Sequence, residues 1–248
     1  MAKQNENESG ISVKLKPDTL GYIGDFPITN SLTSSILGSV LLVVILLVIS
    51  LRLKMIPGKI QSLFELIVEK GYQFTLDTLD GNEKIARKTF PLVASFFVFI
   101  VFFNLIKFIP GYESTYFGDY HLLKPLHSDL NMTLALGITS FIFVQVIGVF
   151  VLGVFKYSSK FINIKKPLTI PLGIIELVSE IAKMFSLSFR LFGNIFAGGI
   201  LLLLAGQLTH FLLPVPIMLF EIFVAFLQAG IFALLTIVYV KLSVSEPH

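Results

Sequence analysis

Residues 168–207 read LTIPLGIIELVSEIAKMFSLSFRLFGNIFAGGILLLLAGQ. This stretch has no strong helix breaker after Pro171, so it predicts one helix of roughly 60 Å at 1.5 Å per residue. That is about twice the thickness of the hydrocarbon core of a bilayer. A second apolar stretch, residues 212–242, begins with Pro214 and Pro216, and predicts a helix of roughly 45 Å by the same rise. We expect two long antiparallel helices that cross a membrane at a steep tilt.

The overall composition also indicates a membrane protein. The chain of 248 residues is 54% hydrophobic and 14% charged, with a mean hydropathy of +0.84. A soluble domain needs more polar surface than this to cover its core. We therefore expect an outer polar segment over residues 1–30 and one multi-spanning membrane domain over residues 31–248. The chain has no cysteine, which excludes disulfides and thiolate metal sites.

Three shorter apolar stretches predict further membrane spans, at residues 31–51, about 89–109 and about 131–155. A polar loop over residues 110–128 joins the last two spans into a hairpin. Residues 83–88 are interpreted as a charged link before the second span, and a basic turn is expected after the third. That turn contains Lys156, Lys160, Lys165 and Lys166.

The stretch between the first two spans, residues 57–80, has a different pattern. Its apolar residues recur at helical spacing and charged residues fill the other positions. Such a helix either lies in the membrane interface or packs on the rest of the protein, and the sequence leaves both open. The predicted fold is an all-α membrane protein with a single-crossing N-terminal helix, an interfacial amphipathic helix, a helical hairpin and two long, strongly tilted antiparallel helices.

The basic residues lie next to the apolar spans, where they set orientation, so no nucleic-acid partner is expected. If residues 52–59 are cytoplasmic, thirteen lysines and arginines lie on that side and five on the other, with Arg190 left out. The positive-inside rule then places the N-terminus outside and the C-terminus in the cytoplasm.

Arg190 is the most informative residue because it lies about 22 residues into the first long stretch. Estimates for an arginine at the centre of a bilayer begin at roughly 3 kcal/mol, and its guanidinium does not readily lose its proton. Arg190 therefore needs a carboxylate, a water-filled cavity or backbone carbonyls nearby. The alternative is a structural arginine that snorkels to a lipid headgroup.

Polar residues share one stripe of this helix with Arg190. Glu176, Lys183 and Arg190 are seven residues apart, and Ser186 and Asn194 lie one turn on either side of the arginine. A structural helix that faces only lipid would not carry this stripe, so it indicates a polar path from the cytoplasmic end to mid-membrane. For Glu176 and Lys183, an ordinary charge pair near the cytoplasmic surface is equally compatible.

The last helix has its own polar pair, Glu221 and Gln228, seven residues apart. If Arg190 lies opposite Gln228, then Glu221 falls opposite Ala197 and beside residues 198–199, both glycine. These small residues leave room for a carboxylate and water, although they also simply permit close helix packing. A poorly solvated carboxyl group there could exchange protons; the alternative is a structural hydrogen-bond partner.

The two polar sets are offset along the membrane, and Arg190 lies between them. Two polar inlets from opposite faces, separated by a fixed positive charge, make a proton path that cannot run straight through. That arrangement is the one needed to couple ion flow to the motion of another component.

The run SLSFRLFGNIFAG, residues 186–198, closely resembles the signature of subunit a of bacterial F-type rotary ATP synthases. The stretches LQA at 227–229, IF at 231–232 and LTIVY at 235–239 are similar to it as well. Residues 104–111 resemble the end of that family's second span, and residues 129–133 the start of its third. The resemblance covers most of residues 90–242.

This resemblance implies a stator subunit of the membrane sector of ATP synthase, non-catalytic by itself and without a cofactor. It implies two offset proton half-channels beside a rotating ring of c subunits, which couple proton flow to rotation and ATP synthesis. The implied partners are the c-subunit ring, the b subunits of the peripheral stalk, the remaining ATP synthase subunits and the lipid bilayer. The implied location is the bacterial plasma (inner) membrane, with multiple passes.

The resemblance also implies roles for individual residues. Arg190 matches the arginine that faces the carboxylates of the ring, and Gln228 and Asn194 match a mid-membrane glutamine and asparagine. Glu176 matches the acid of the cytoplasmic half-channel, and Asn104 the asparagine of the outer one. The candidate residues for proton translocation are Arg190, Glu221, Gln228, Asn194, Glu176, Lys183, Ser186, Asn104 and Asp129, the last being equally compatible with a helix N-cap.

The sequence departs from the family pattern near the outer half-channel. Many bacterial members have a glutamate where this chain has Gly199 and a histidine where it has Glu221, so the acid has moved to the facing helix. Lys107 stands where some members have an aspartate. A secondary transporter would show internal repeats and broken helices, and a membrane scaffold would not need these polar residues. No nucleotide-binding loop is present in the sequence, so ATP chemistry is assigned to partner subunits.

Overall fold

The computed structural model describes residues 19–109, 116–117, 120–121, 129–161, 170–209 and 212–245. Within these ranges the helices are α1 (Asn30–Leu51), α2 (Lys59–Thr78), α3 (Glu83–Ile106), α4 (Leu130–Leu152), α5 (Val154–Phe161), α6 (Ile170–Leu208) and α7 (Pro214–Val244). Two short antiparallel hairpins accompany them, β1 (Thr19–Ile23) with β2 (Phe26–Thr29) and β3 (Tyr116–Phe117) with β4 (Tyr120–His121). The predicted fold class, an all-α membrane protein, is confirmed, because α1, α3, α4, α6 and α7 are long and apolar enough to cross a membrane.

Helix α1 begins directly after the β1–β2 hairpin, where the Thr29 hydroxyl accepts a hydrogen bond from the Leu32 amide at 3.3 Å. Most of its apolar side chains are exposed. Its one buried face is small and polar at the start of the helix, and a Cβ at Gly38 on that face would collide with the Phe103 ring. Glycine therefore allows α1 to pack against α3.

Helix α2 fits the amphipathic helix predicted over residues 57–80. Its C-terminal part packs on α3, where Tyr72 meets Phe90 edge to face with ring centroids 5.5 Å apart and Thr75 is buried. Its first half exposes apolar side chains: Ile60, Leu63, Phe64, Ile67 and Val68. Packing on the protein thus accounts for one end of the helix, and the exposed apolar residues at the other end fit a membrane interface.

Two predicted connections are wrong, because helix runs through both. Residues 83–88 form the first turns of α3, which starts where the Asn82 side chain accepts a hydrogen bond from the Ile85 amide at 3.3 Å. Similarly, the third span ends at Leu152 and not at residue 155, because Gly153 has a φ of +79° and breaks the helix. Lys156 and Lys160 lie on α5, whereas Lys165 and Lys166 lie outside the described residues.

The two long helices are present with 39 residues in α6 and 31 in α7. Helix α7 packs mainly on α3 and α4, and α6 mainly on α4. The approach of α4 to α6 is close, since a Cβ at Gly137 would lie 2.9 Å from the Met184 carbonyl oxygen. Helices α3, α6 and α7 meet in a buried apolar layer formed by Phe96, Ile100, Leu187, Leu191, Ala229 and Phe232.

Candidate functional site: two polar clusters and an exposed arginine

A buried ion pair lies on one side of the apolar layer. Lys107 follows the last residue of α3, and its Nζ lies 3.0 Å from Oε2 of Glu221 in the first half of α7. The two side chains are only 12% and 8% exposed. Breaking such a pair by removing one partner would leave an uncompensated buried charge, so the two helices are tied together at this point.

The other carboxylate oxygen of Glu221 points at α6. Its Oε1 is buried and accepts no hydrogen bond from any residue that the structure describes. A Cβ at Gly198 would collide with Oε1 and lie 2.9 Å from the carboxyl carbon, so a larger residue there would push the carboxylate aside. The sequence predicts Glu221 opposite Ala197, and the observed contact is one residue away.

A small cavity of about 20 Å³ lies against this ion pair, which is room for about one water molecule. Its polar lining comes from three helices and consists of Asn104, Lys107, Asn194, Glu221 and Gln228. The structure therefore brings together four of the candidate residues and adds Lys107. We call these five residues the outer cluster.

The partnership of Lys107 with Glu221 is not predicted by the sequence analysis. Two signals could have found it. Asn104 and Lys107 are three residues apart, hence on one face of α3, and both Lys107 and Glu221 depart from the family pattern. A basic residue in place of an acid, and an acid moved to the facing helix, compensate each other in charge.

A second polar network lies on the other side of the apolar layer and centres on Glu180. Its Oε1 accepts a hydrogen bond from Lys183 Nζ at 2.8 Å, and its Oε2 accepts one from Gln145 Nε2 at 3.2 Å. The Tyr157 hydroxyl on α5 donates to Gln145 Oε1 in turn. We call Gln145, Tyr157, Glu180 and Lys183 the inner cluster.

Tyr157 anchors α5 on α4 through close packing. A Cβ at Gly148 would collide with its ring, and the side chain is 5% exposed. Burial is the main reason why the pKa of Tyr157 rises from 10.0 to about 12, with smaller contributions from the negative charges of Glu180 and Glu176. The tyrosine therefore remains a neutral hydrogen-bond donor at physiological pH.

The inner cluster differs from the pairing that the sequence suggests. The carboxylate bound to Lys183 is Glu180, not Glu176, which is half-buried and close enough to act on the pKa of Tyr157. The Lys183 ammonium also lies 5.5 Å from the centroid of the Tyr239 ring. The sequence signal for Glu180 is its spacing of three residues from Lys183, which places both on one helix face.

Helix α6 contributes residues to both clusters, and the apolar layer lies between them along this helix. Along α6, Leu187 and Leu191 lie between Lys183 and Asn194, a distance of about 16 Å at 1.5 Å per residue. Leu191 is fully buried, as is Ala229 in the same layer. The six residues of the layer are hydrophobic and buried, so they separate the two clusters with apolar side chains.

Arg190 belongs to neither cluster. It lies at the level of the apolar layer but on the exposed face of α6, together with Ser186 and Asn194. No hydrogen bond or ion pair joins its guanidinium to another residue in the described part of the chain, Gln228 included. The structure thus presents a cation to the outside of the helix bundle.

Asp129 acts as an N-cap in this structure. Its carboxylate accepts a hydrogen bond from the Asn131 amide at 3.0 Å, at the start of α4, and the side chain is 5% exposed. It does not line the cavity of the outer cluster. Of the two interpretations of Asp129, the capping one has direct structural support.

Comparison with known proteins identifies the family to which these features belong. A family model described as ATP synthase A chain matches residues 32–241. The chain belongs to this family. Among similar curated proteins, ATP synthase subunit a of Moorella thermoacetica is 34% identical over 226 residues, which cover 91% of this chain and 95% of the relative.

Two further subunit a sequences support the assignment. That of Campylobacter jejuni (strain 81-176) is 37% identical over 190 residues, 75% of this chain and 77% of the relative. ATP synthase subunit a 1 of Syntrophotalea carbinolica is 34% identical over 200 residues, 79% and 78% respectively. The resemblance to subunit a is confirmed, and with it a multi-pass, proton-translocating subunit of the membrane sector that is not itself catalytic.

Proposed function

We propose that this chain is the stator subunit that carries two offset proton half-channels at the interface with the rotating c-ring. In this proposal the outer cluster belongs to the inlet from the outer face, and the inner cluster lies beside the outlet to the cytoplasm. Protons that cross between them ride on carboxylates of the ring, and this coupling drives rotation and ATP synthesis. The chain sits in the bacterial plasma membrane with its N-terminus outside and its C-terminus in the cytoplasm.

The observation that carries the proposal is the exposed position of Arg190. A guanidinium facing hydrocarbon without a counter-ion is strongly unfavourable, and an arginine cannot escape by losing its proton. A carboxylate on a neighbouring subunit would satisfy it with the planar, two-point geometry that arginine favours. The small residues beside it on the exposed face, Gly193 and Ala197, allow a partner helix to approach closely.

The proposed path follows from the apolar layer. A proton would enter through the outer cluster, with Glu221 as its acceptor, and pass to a ring carboxylate near Asn194 and Gln228. Rotation would then carry the neutral carboxyl group through lipid to the cytoplasmic side of Arg190. There the positive charge of the arginine favours the ionised carboxylate, so the proton is released along Ser186 and Glu176.

The same positive charge would prevent a short circuit. A proton moving directly between the half-channels would have to pass Arg190, whose positive charge repels it, and the buried apolar side chains at the same level. The b subunits of the peripheral stalk would hold this chain against the torque of the ring. ATP chemistry would remain with the other ATP synthase subunits.

The test is Arg190→Ala in the complete ATP synthase, assayed in inverted membrane vesicles. We expect ATP-driven proton pumping to be abolished, while the complex still assembles, because the arginine makes no bond within the described part of its own chain. The matched control is Arg87→Ala, which removes an exposed arginine from the start of α3 and should leave pumping unchanged. Normal pumping by the Arg190 variant would refute the stator function.

A further inference from the structure

Glu221 is faced by very few groups that could change its charge state. From α3 it is faced by Lys107 and Asn104, and from α6 by Gly198 and Asn194. Among the described residues that line this cavity, Lys107 is the only cation and Glu221 the only anion. Among these described lining residues, a single side chain therefore balances the charge on Glu221.

The two oxygens of Glu221 are not equivalent. Oε2 lies 3.0 Å from the Lys107 ammonium, whereas Oε1 is buried, faces Gly198 and accepts no hydrogen bond from a described residue. A buried acceptor without a donor is unfavourable. Oε1 is thus the oxygen of Glu221 that gains most from binding a proton.

The ammonium of Lys107 also attracts the carboxylate of Glu221 through a charge-assisted hydrogen bond. Both side chains are nearly excluded from solvent, so this interaction is screened much less by salt than a surface pair would be. Lys107 consequently orients the carboxylate.

We propose that Lys107 is a positioning residue of the outer inlet, which holds Oε2 of Glu221 and leaves Oε1 as the proton-accepting atom. In the loading step a hydronium ion gives its proton to Oε1, an O–H bond forms there, and a neutral water molecule remains. This inference rests on the proposed function, because it assumes that protons from the outer side pass through Glu221.

The experiment uses the complete ATP synthase in liposomes, with Lys107→Gln as the variant. ATP synthesis is measured against the pH on the outer-cluster side, while a potassium diffusion potential keeps the total driving force constant. The variant lacks the positive charge beside the accepting oxygen, so its inlet should load at lower proton concentrations and the alkaline limb of the profile should move upward by about one pH unit or more. Lys107→Arg retains the charge and should keep the profile of the unmodified protein.

Two controls separate positioning from a merely structural role. Lys70→Gln changes an exposed lysine on α2 and should leave the profile in place. In a Glu221→Gln background, Lys107→Gln should cause no further shift, because the residue through which it acts is gone.

Several outcomes would overturn the inference. These are an unshifted profile for Lys107→Gln, a shift that persists in the Glu221→Gln background, and an assembly defect of Lys107→Gln that Lys107→Arg repairs without any effect on pH dependence. In each case Arg190→Ala can still abolish pumping, so the stator function would survive. Normal pumping by Arg190→Ala would instead remove the proposed function itself.

Discussion

Glu221 and Glu180 are both buried carboxylates beside a lysine, yet their bonding differs. Glu180 accepts hydrogen bonds at both oxygens, from Lys183 and Gln145. Glu221 binds Lys107 through one oxygen, and its other oxygen accepts no hydrogen bond within the described part of the chain. Burial is similar, at 3% and 8% exposure. The two carboxylates therefore differ in an unused acceptor and not in burial. In the proposed function, that acceptor is what makes Glu221, and not Glu180, the acid that takes up a proton.

The two carboxylates also differ in the size of the cavity beside each of them. The cavity beside Glu221 measures about 20 Å³, and the one beside Glu180 about 10 Å³. A buried water needs at least about 10–15 Å³ on this measure, so the outer cavity can hold one and the inner cavity is at the lower limit. Proton transfer to a buried acid requires a donor within reach, and a water molecule in the outer cavity would lie beside the ion pair of Glu221.

The largest effect that this comparison predicts is a split between Glu221→Gln and Glu180→Gln. An amide cannot accept and release a proton, so Glu221→Gln should slow proton uptake from the outer side by at least about tenfold. The measurement is ATP synthesis in liposomes with the outer-side pH varied. Uptake rates that stay unchanged across the pH range would remove Glu221 from the inlet.

Glu180→Gln is the matched control for that change. It removes the negative charge that Lys183 binds, but the amide can still form hydrogen bonds and Lys183 is 22% exposed, so we expect the complex to assemble. Pumping per assembled complex should stay within about twofold of the unmodified protein. A large loss of pumping with intact assembly would show that Glu180 also carries protons, and would contradict the proposed difference between Glu180 and Glu221.

The fold follows from the sequence where long apolar runs decide it. The five spans are long, predominantly hydrophobic stretches of a length that can cross a membrane. The errors fall where helix continues outside those runs. Residues 83–88 are helical because Asn82 caps them and Ile85 and Ala86 are buried, and the single glycine that separates α4 from α5 carries no hydropathy signal.

The candidate site is predictable to the extent that it depends on spacing along one helix. The seven-residue spacing of Glu221 and Gln228, set against Arg190, gives the register of α6 and α7 to within one residue. The bond between Lys107 and Glu221 joins positions 114 residues apart, and Gln145 reaches Glu180 from another helix. Such contacts depend on how α3 packs on α7 and how α4 packs on α6, which no local pattern in the sequence specifies.

A smaller effect is expected from a pair of adjacent glycines on α6. Gly198→Ala would push a methyl group into Oε1 of Glu221, whereas a Cβ at Gly199 meets nothing within 4 Å. Moving Glu221 off its rotamer should cost about 0.5–1.5 kcal/mol, a factor of about 2–10 in the rate of proton uptake. Gly199→Ala should leave the rate unchanged and, as a better helix former, slightly stabilise α6. Equal rates for the two variants would show that Oε1 does not depend on the room that Gly198 provides.

The smallest effect concerns Tyr157, which belongs to the inner cluster. Tyr157→Phe removes one hydrogen bond to Gln145, worth about 0.5–1.5 kcal/mol, and should change pumping less than twofold. Because folding raises the pKa of this tyrosine from 10.0 to about 12, the unfolded chain ionises first. The stability that its neutral form contributes is complete below pH 10.0 and is lost as the pH rises towards 12. The unfolding temperatures of the unmodified protein and of Tyr157→Phe, measured across this pH range, should therefore differ by an amount that falls as the pH rises. A pH-independent difference would mean that Tyr157 ionises as an exposed tyrosine does, and that the inner cluster is open to water after all.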